Sequence, residues 1–189
     1  MRESDQPQLA AIVPDDAEPD PRLAEVGLDP ATRRAGNLLQ SYWGSMGGWT
    51  IESWRLGFVV LRAGEMIGCQ ELEGVGFAIR RTVDSSSWLA RAWRGQGLGK
   101  AMRAAVLALA FDGLGAEVAD TEALEGNNAS LGVSRALGYE PNGEAVHDHG
   151  GVAERMIRLR LVRSRWEEIR GDWRVSIEGL ESARPMFGL

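Results

Sequence analysis

The chain has 189 residues, 44% of them hydrophobic and 25% charged, with a single cysteine, Cys69. That is the size and balance of one globular domain with enough chain to bury a core. It excludes an internal disulfide framework, and the longest purely apolar run, Ala104 to Phe111, is too short for a bilayer, which takes about 20 residues. The net charge is −6, and residues 1–30 carry all of it, with eight acids against Arg2 and Arg22. The neutral remainder is a poor fit to a nucleic-acid backbone. The polar start Met1-Arg2-Glu3-Ser4-Asp5 does not read as a signal peptide, so the expectation is a cytoplasmic protein with no membrane partner.

Ser4 or Asp5 can cap a short helix through Leu9 and Ile12. Pro14 to Pro21 holds three prolines and four acids and reads as a loop. Asp29-Pro30 is a helix start, an N-cap acid followed by proline where its missing N–H costs nothing. Ala31, Ala35, Leu38, Leu39, Tyr42, Trp43 and Met46 then share one helical face, until Gly47-Gly48. Trp54 to Leu61 and Met66 to Leu72 flank Arg62-Ala63-Gly64-Glu65 as a hairpin. A third strand covers Thr82 to Leu89, after an extended piece around Phe77 to Ile79. Leu98 to Asp112 is the strongest helix, stopped by Gly113 and Gly115. Ala116 to Thr121 is a short strand. A helix capped by Asn127 or Asn128 ends near Leu137 with Gly138 behind it. Strands near Glu144 to Asp148 and Arg155 to Val162 follow, then Ser164-x-x-Glu167 as a capping box. The order predicts an α/β sheet of mixed direction flanked by helices.

Residues 1–189 read as one domain, with 1–30 as an acidic helix-and-loop lead-in and 171–189 as a C-terminal extension. The extension carries Trp173, Ile177, Leu180, Met186 and Phe187. Such a tail needs cover, from its own chain or from a second subunit, and a homodimer is the expectation. Trp43, Trp49 and Trp54 either fill the core or line a pocket for an apolar acceptor.

The segment that carries chemistry is Arg94-Gly95-Gln96-Gly97-Leu98-Gly99-Lys100, between a strand and the best helix. Its glycines let backbone N–H groups approach a ligand, and the helix turns its positive end to the same point. No acid occurs from Ser85 to Phe111, whereas Arg91, Arg94, Lys100 and Arg103 do. Together these make a cradle for phosphate or pyrophosphate; the alternative is a turn whose glycines serve packing alone. A P-loop does not fit, since Ala101 follows Lys100, and the dinucleotide fingerprint would need glycine at Lys100.

Arg94-x-x-Gly97-x-Gly99 resembles the acyl-CoA pyrophosphate loop of the GNAT superfamily of N-acetyltransferases. Downstream, Asn127-x-x-Ser130-x-x-Val133-Ser134-x-x-x-Gly138-Tyr139 is similar to a second run of that family. The Trp88-Leu89 pair resembles the branch that acetylates N-termini of ribosomal proteins, and related small-molecule enzymes. The resemblance spans roughly Trp54 to Glu168. It implies a GNAT fold with a mostly antiparallel sheet and acetyl-CoA as cosubstrate. Trp88, Leu89 and Ala90 would supply a splayed backbone for pantetheine. Arg94, Gly95, Gln96, Gly97, Leu98, Gly99 and Lys100 would hold the pyrophosphate, with Asn127 and Ser130 on the CoA side. Ser134 stands where the family places its general acid. The same residues also have plain roles: Asn127 as a helix cap, Ser134 as a helix serine bonded to its own backbone. The family's first strand does not stand before the first helix: either the start was assigned too late or the protein lacks that strand, and a sheet edge is then bare or otherwise filled.

Acetyl transfer to an amine needs an unprotonated amine, a donor for the oxyanion, a donor or proton for the departing thiolate, and two substrates held together. The base candidates are Glu122, Asp84 and Glu71, each of which could equally be a solvated surface acid. His147 and His149 share a face of a strand, with no further ligand set beside them, so no metal is expected. The expected activity is acetyl transfer from acetyl-CoA to a small-molecule amine or a protein N-terminus by direct attack in a ternary complex. The alternative is a non-catalytic acyl-CoA-binding module on the same fold, and a weaker third is a nucleotide-dependent oxidoreductase.

Overall fold

The computed structural model describes residues 1–17, 29–149, 151–171 and 173–189, with the side chain of His149 left aside. Part of the expected Pro14–Pro21 loop, with Glu18 and Asp20, and Glu25 beyond it lie outside the described residues. Among the described residues six strands form one sheet in the order β1-β2-β3-β4-β6-β5. These are β1 Ser53–Arg62, β2 Glu65–Val75, β3 Thr82–Leu89, β4 Val118–Leu124, β5 Glu140–His149 and β6 Val152–Val162. Only β3 and β4 run parallel; every other pairing is antiparallel.

Seven α-helices accompany the sheet among the described residues: α1 Gln6–Ile12, α2 Pro30–Gly47, α3 Phe77–Arg80, α4 Leu98–Ala108, α5 Asn128–Ala136, α6 Arg163–Ile169 and α7 Leu180–Ala183. Asp29 caps α2 as expected, accepting from the N–H groups of Ala31 and Thr32 at 3.0 Å each. Asn127 caps α5 in the same way, accepting from the N–H of Ser130 at 3.1 Å.

Several expectations need correction. Phe77 to Ile79 is a helical turn, because the chain leaves β2 through Gly76 in a left-handed conformation and Phe77 drops into the core. The helix from Leu98 stops being α-helical at Ala108 and ends in one wide turn, where the Leu114 N–H reaches Leu109 O at 2.8 Å. Ser164 caps nothing: α6 starts at Arg163 with Val162 as N-cap, so the serine lies inside the first turn. The apolar face of α2 is not a core face. No residue of α2 is buried, and Trp43 and Met46 stand 53% and 62% exposed.

The core lies between the sheet and α4 to α6. Trp54, Leu72, Val83, Ala119, Leu159 and Leu161 point down from the strands against Leu107, Phe111 and Leu131. Trp54 rests on Gly74, where an added Cβ would come within 2.6 Å of the indole, so only glycine fits beneath it. Trp49 and Phe187 pack on Trp54, at 6.1 and 4.9 Å between ring centroids. Two of the three clustered tryptophans are therefore packing residues.

Phe187 belongs to the C-terminal tail, which folds across its own chain. The Trp49 indole N–H donates to Met186 O at 3.0 Å, Arg184 donates to Gly113 O at 3.0 Å, and Ile177 and Leu180 lie against Gly113. Ile177, Leu180 and Phe187 are thus covered by their own chain, while Trp173 and Met186 stay 41% and 54% exposed. On the sheet's outer edge, the Met1 ammonium donates to Gly57 O of β1 at 3.0 Å, and residues 1–17 hold no strand.

Candidate active site

The site is set by where β3 and β4 part. Their parallel register runs through Thr82↔Val118, Val83↔Ala119 and Asp84↔Asp120, and then stops. Beyond Asp84 the β4-facing edge of β3, including Trp88 and Leu89, has no strand partner among the described residues, while its other edge stays paired with β2 up to Gly68↔Leu89. Ala90 leaves the strand with its N–H on Ile67 O at 2.9 Å. The floor of the split is tied by side chains. The Thr121 hydroxyl donates to Ser85 O at 3.1 Å and accepts from Arg103 Nη1 at 3.2 Å.

The glycine loop lies between β3 and α4. Gly95 and Gly97 have φ of 74° and 78°, and open space surrounds the position a Cβ would take on either. Gly97 is the N-cap of α4 and offers no side-chain cap, so the first N–H groups of the helix are left to solvent or to a ligand. Gln96 is held by its own neighbourhood, accepting from Arg62 at 2.9 Å and donating to Ala92 O at 3.0 Å. Leu98 and Gly99 form the first turn of α4, and Lys100 is exposed.

Arg94 has a partner that the sequence did not suggest. It forms a two-pronged pair with Asp16 of the lead-in, 2.8 Å on both prongs, and donates from Nε to Leu89 O at 3.0 Å. Arg91 pairs with Asp15 and lies 3.4 Å from Asp16. The Arg94 guanidinium holds the Asp16 carboxyl below the usual carboxylate range.

Asn127 and Ser130 make the α5 cap, and the Ser134 hydroxyl, buried at 1% exposure, donates to Ser130 O at 3.2 Å. Both have the local bonds of the plain alternatives. Ser134 does not offer its proton to the split in this geometry.

The opposite face of the sheet carries carboxylates at every second position of three adjacent strands: Glu71 and Glu73 on β2, Asp84 on β3, and Asp120 and Glu122 on β4. The register places Asp84 between Glu73 and Asp120. Four of the five have partners. Glu71 accepts from Ser41 of α2 at 3.2 Å and from Ser86 at 3.0 Å. Glu73 pairs with Arg55 at 2.9 Å, and Asp120 with Arg160 at 2.7 and 2.8 Å. Glu122 meets His147 at 3.2 Å and Arg158 at 4.0 Å. Asp84 has no cation within ion-pair reach among the described residues. Crowding by the surrounding chain, and then the like charges of Glu122 and Glu73, raise its carboxyl to about 7, against a backbone hydrogen bond at Ser85 and although the residue is exposed to solvent.

Of the three candidate bases, Asp84 thus sits at the split with a proton affinity near neutrality, Glu122 faces a cation and a histidine, and Glu71 is bound by two serines. The spacing of the acids was visible in the sequence, but their adjacency depended on the strand register. His147 serves Glu122 and, among the described residues, no group of three possible metal ligands forms. A concavity of about 150 Å³ between β5 and α6 contains none of the expected site residues.

A family profile for the acetyltransferase (GNAT) domain matches residues 1–140. The chain belongs to the GNAT acetyltransferases. Among solved structures, Mycobacterium smegmatis RimJ in complex with CoA-disulfide is 20% identical, with a TM-score of 0.70, covering 89% of this chain and 81% of that one. A spermidine N-acetyltransferase SpeG chimera from Vibrio cholerae and hSSAT is 16% identical, with a TM-score of 0.66, covering 89% and 96%. At these identities the likeness is one of fold. The parted strands, the loop at the head of α4 and the mixed, mostly antiparallel sheet are this GNAT chain's version of that architecture.

Proposed function

We propose that this protein transfers an acetyl group from acetyl-CoA to a primary amine by direct attack within a ternary complex. One observation carries the reading: the β3–β4 split has an uncapped, glycine-lined helix start on one side and, on the other, the Asp84 carboxyl set between Glu73 and Asp120, whose pKa is raised. The open space at Gly95 and Gly97 suits a pyrophosphate approached by backbone N–H groups, with Arg94 and Lys100 adding charge. The unpaired edge of Trp88, Leu89 and Ala90 suits an amide-bearing arm that adds to a strand.

Asp84 is the base in this reading. An α-amino group, with a pKa of about 7.7–8.0, needs only modest help near neutral pH, and a carboxylate raised to the same range can take its proton. Glu122 and Glu73 keep Asp84's proton affinity high, and their own charge favours a cationic acceptor before it is deprotonated. The acceptor is a small-molecule amine or a protein N-terminus, and the setting is cytoplasmic, in keeping with a lone buried cysteine.

The deciding experiment is release of free thiol from acetyl-CoA in the presence of peptides with free N-termini, polyamines, amino acids and aminoglycoside-like amines. Turnover with any of them supports the enzyme. Acetyl-CoA binding without thiol release from any of them overturns it in favour of a non-catalytic module. A homodimer would cover Trp43 and Met46 of α2 and Trp173 and Met186 of the tail, all exposed, and light scattering over a range of concentrations tests it.

A further inference from the structure

Among the described residues Arg103 is the one buried cation, 3% exposed on α4 beneath the split. Among the described residues it has no carboxylate partner. Its Nη1 donates to Thr121 of β4 at 3.2 Å and its Nη2 to Ser87 of β3 at 3.4 Å, so the guanidinium spans the two strands where they part. Its Nε–H is buried without a partner. Tyr139 stands beside it, its pKa raised by burial against the opposing pull of Arg103 and Ser85. A buried charge met only by hydroxyls is costly, and an apolar side chain would pack the same place more cheaply.

Ser87 differs from its neighbours. It is exposed at the open side of the split, one residue before Trp88, and its oxygen accepts from Arg103. Its own proton has no acceptor among the described residues. Thr121's proton goes to Ser85 O and Ser134's to Ser130 O. The Ser85 hydroxyl at the split and that of Tyr139 behind it are buried, so Ser87 is the exposed hydroxyl that can donate outward, and a cation behind it makes it a stronger donor.

Resting on the acyltransferase reading above, we propose that Ser87, backed by the buried Arg103, is the hydrogen-bond donor to the sulfur that leaves as the thioester breaks. The amine nitrogen forms the new C–N bond, the C–S bond breaks with its electron pair going to sulfur, and the amine's proton passes to Asp84 and on to solvent. Ser87 keeps its proton and donates it only as a hydrogen bond to the thiolate. Arg103 touches no reacting atom; it is a positioning residue that orients and polarises Ser87.

The test needs no acceptor. CoA and S-methyl-CoA are titrated into the protein by calorimetry across the pH range in which a thiol ionises. A donor aimed at sulfur makes CoA gain affinity over S-methyl-CoA as pH rises, at least tenfold at the alkaline end. Ser87→Ala and Arg103→Met lose that gain, Arg103→Lys recovers part of it, and Ser134→Ala keeps it. A purely structural Arg103 would lower the melting temperature of Arg103→Met and leave the pH dependence alone. Should Arg103→Met fail to fold, Ser87→Ala removes a single exposed hydroxyl and decides the matter with the wild type. A wild type that binds both ligands with the same pH dependence overturns the proposal alone. A wild type that binds neither overturns the acyltransferase reading and the proposal with it. A gain lost in Ser134→Ala and kept in Ser87→Ala returns the role to α5.

Discussion

The two sides of the β3–β4 split are built by different means. On the α4 side, the loop Arg94 to Lys100 is one contiguous stretch, and its geometry follows from residue type: two glycines at positive φ and a helix start without a capping side chain. On the α2 side, the carboxylates come from three strands, and what distinguishes Asp84 from Glu73 or Asp120 is first its crowding by the chain and then the like-charged company that sheet register gives it. Backbone shape dominates the first side and side-chain electrostatics the second. Substitutions should therefore fail differently on the two sides: as lost affinity near α4, and as altered pH dependence near Asp84.

The largest effect is expected at Asp84. Asp84→Asn removes the one carboxyl at the split that titrates near neutrality and should lower turnover about 100-fold at neutral pH, within the range for general bases. The wild-type acidic limb should fall near pH 7 and vanish in the variant. Stability should move the opposite way. A carboxyl raised on folding makes the folded chain hold a proton that the unfolded chain releases above about 3.9, so stability falls as pH rises from there through the folded value and stays lower beyond it. Asp84→Asn should accordingly melt higher than wild type at about pH 8, with the margin shrinking toward about pH 4. A melting difference independent of pH would show that Asp84 has an ordinary carboxylate's affinity, and would break the electrostatic half of the comparison.

The backbone half is tested at Gly97. A Cβ there meets no neighbour, so bulk alone is tolerated, but the φ of 78° is one that β-branched residues avoid. Gly97→Val should distort the loop and lower CoA affinity at least tenfold, about 1.4 kcal/mol, while fold and Asp84 titration stay as they were. Unchanged affinity by calorimetry in the folded variant would remove the loop from the cofactor site.

These two sides also mark what the sequence could disclose. The loop, the hairpin through Ala63-Gly64, the Asp29 and Asn127 caps and the order of strands and helices follow from local propensity and period, and were legible. The wide turn after Ala108 and the helical turn at Phe77 were not, because tertiary packing of Phe111 and Phe77 overrides the local pattern. Nor was the burial of Arg103. In a linear reading it is one more cation in an acid-free stretch, and only the packing of α4 on β3 and β4 shows that it lies inside. Ser134 shows the reverse: its spacing from Asn127 fits the family's acid, yet the structure gives its proton to the turn behind it. Ser134→Ala should therefore change turnover by no more than about threefold, since removing an i−4 backbone bond costs a helix little. A loss of about 100-fold would mean that the hydroxyl swings out to act as a general acid.

The smallest effect is expected where the two sides meet. Asp16 lies in the lead-in, yet its carboxylate occupies Arg94 of the phosphate loop with the same two-pronged geometry a phosphate would use. A pyrophosphate arriving at the loop must share or displace it. The pair is an exposed one, with side-chain exposures of 40% and 48%, and such pairs are worth about 0–1 kcal/mol. Asp16→Asn should thus strengthen CoA binding by about fivefold at most, the factor corresponding to about 1 kcal/mol. The gain should fade as salt is raised, because both the released arginine and the competing carboxylate act through screened charge. Weaker binding in Asp16→Asn would carry the opposite meaning. It would show that the carboxylate holds Arg94 in place for the ligand instead of competing with it, and that the acidic lead-in completes the cofactor side instead of obstructing it.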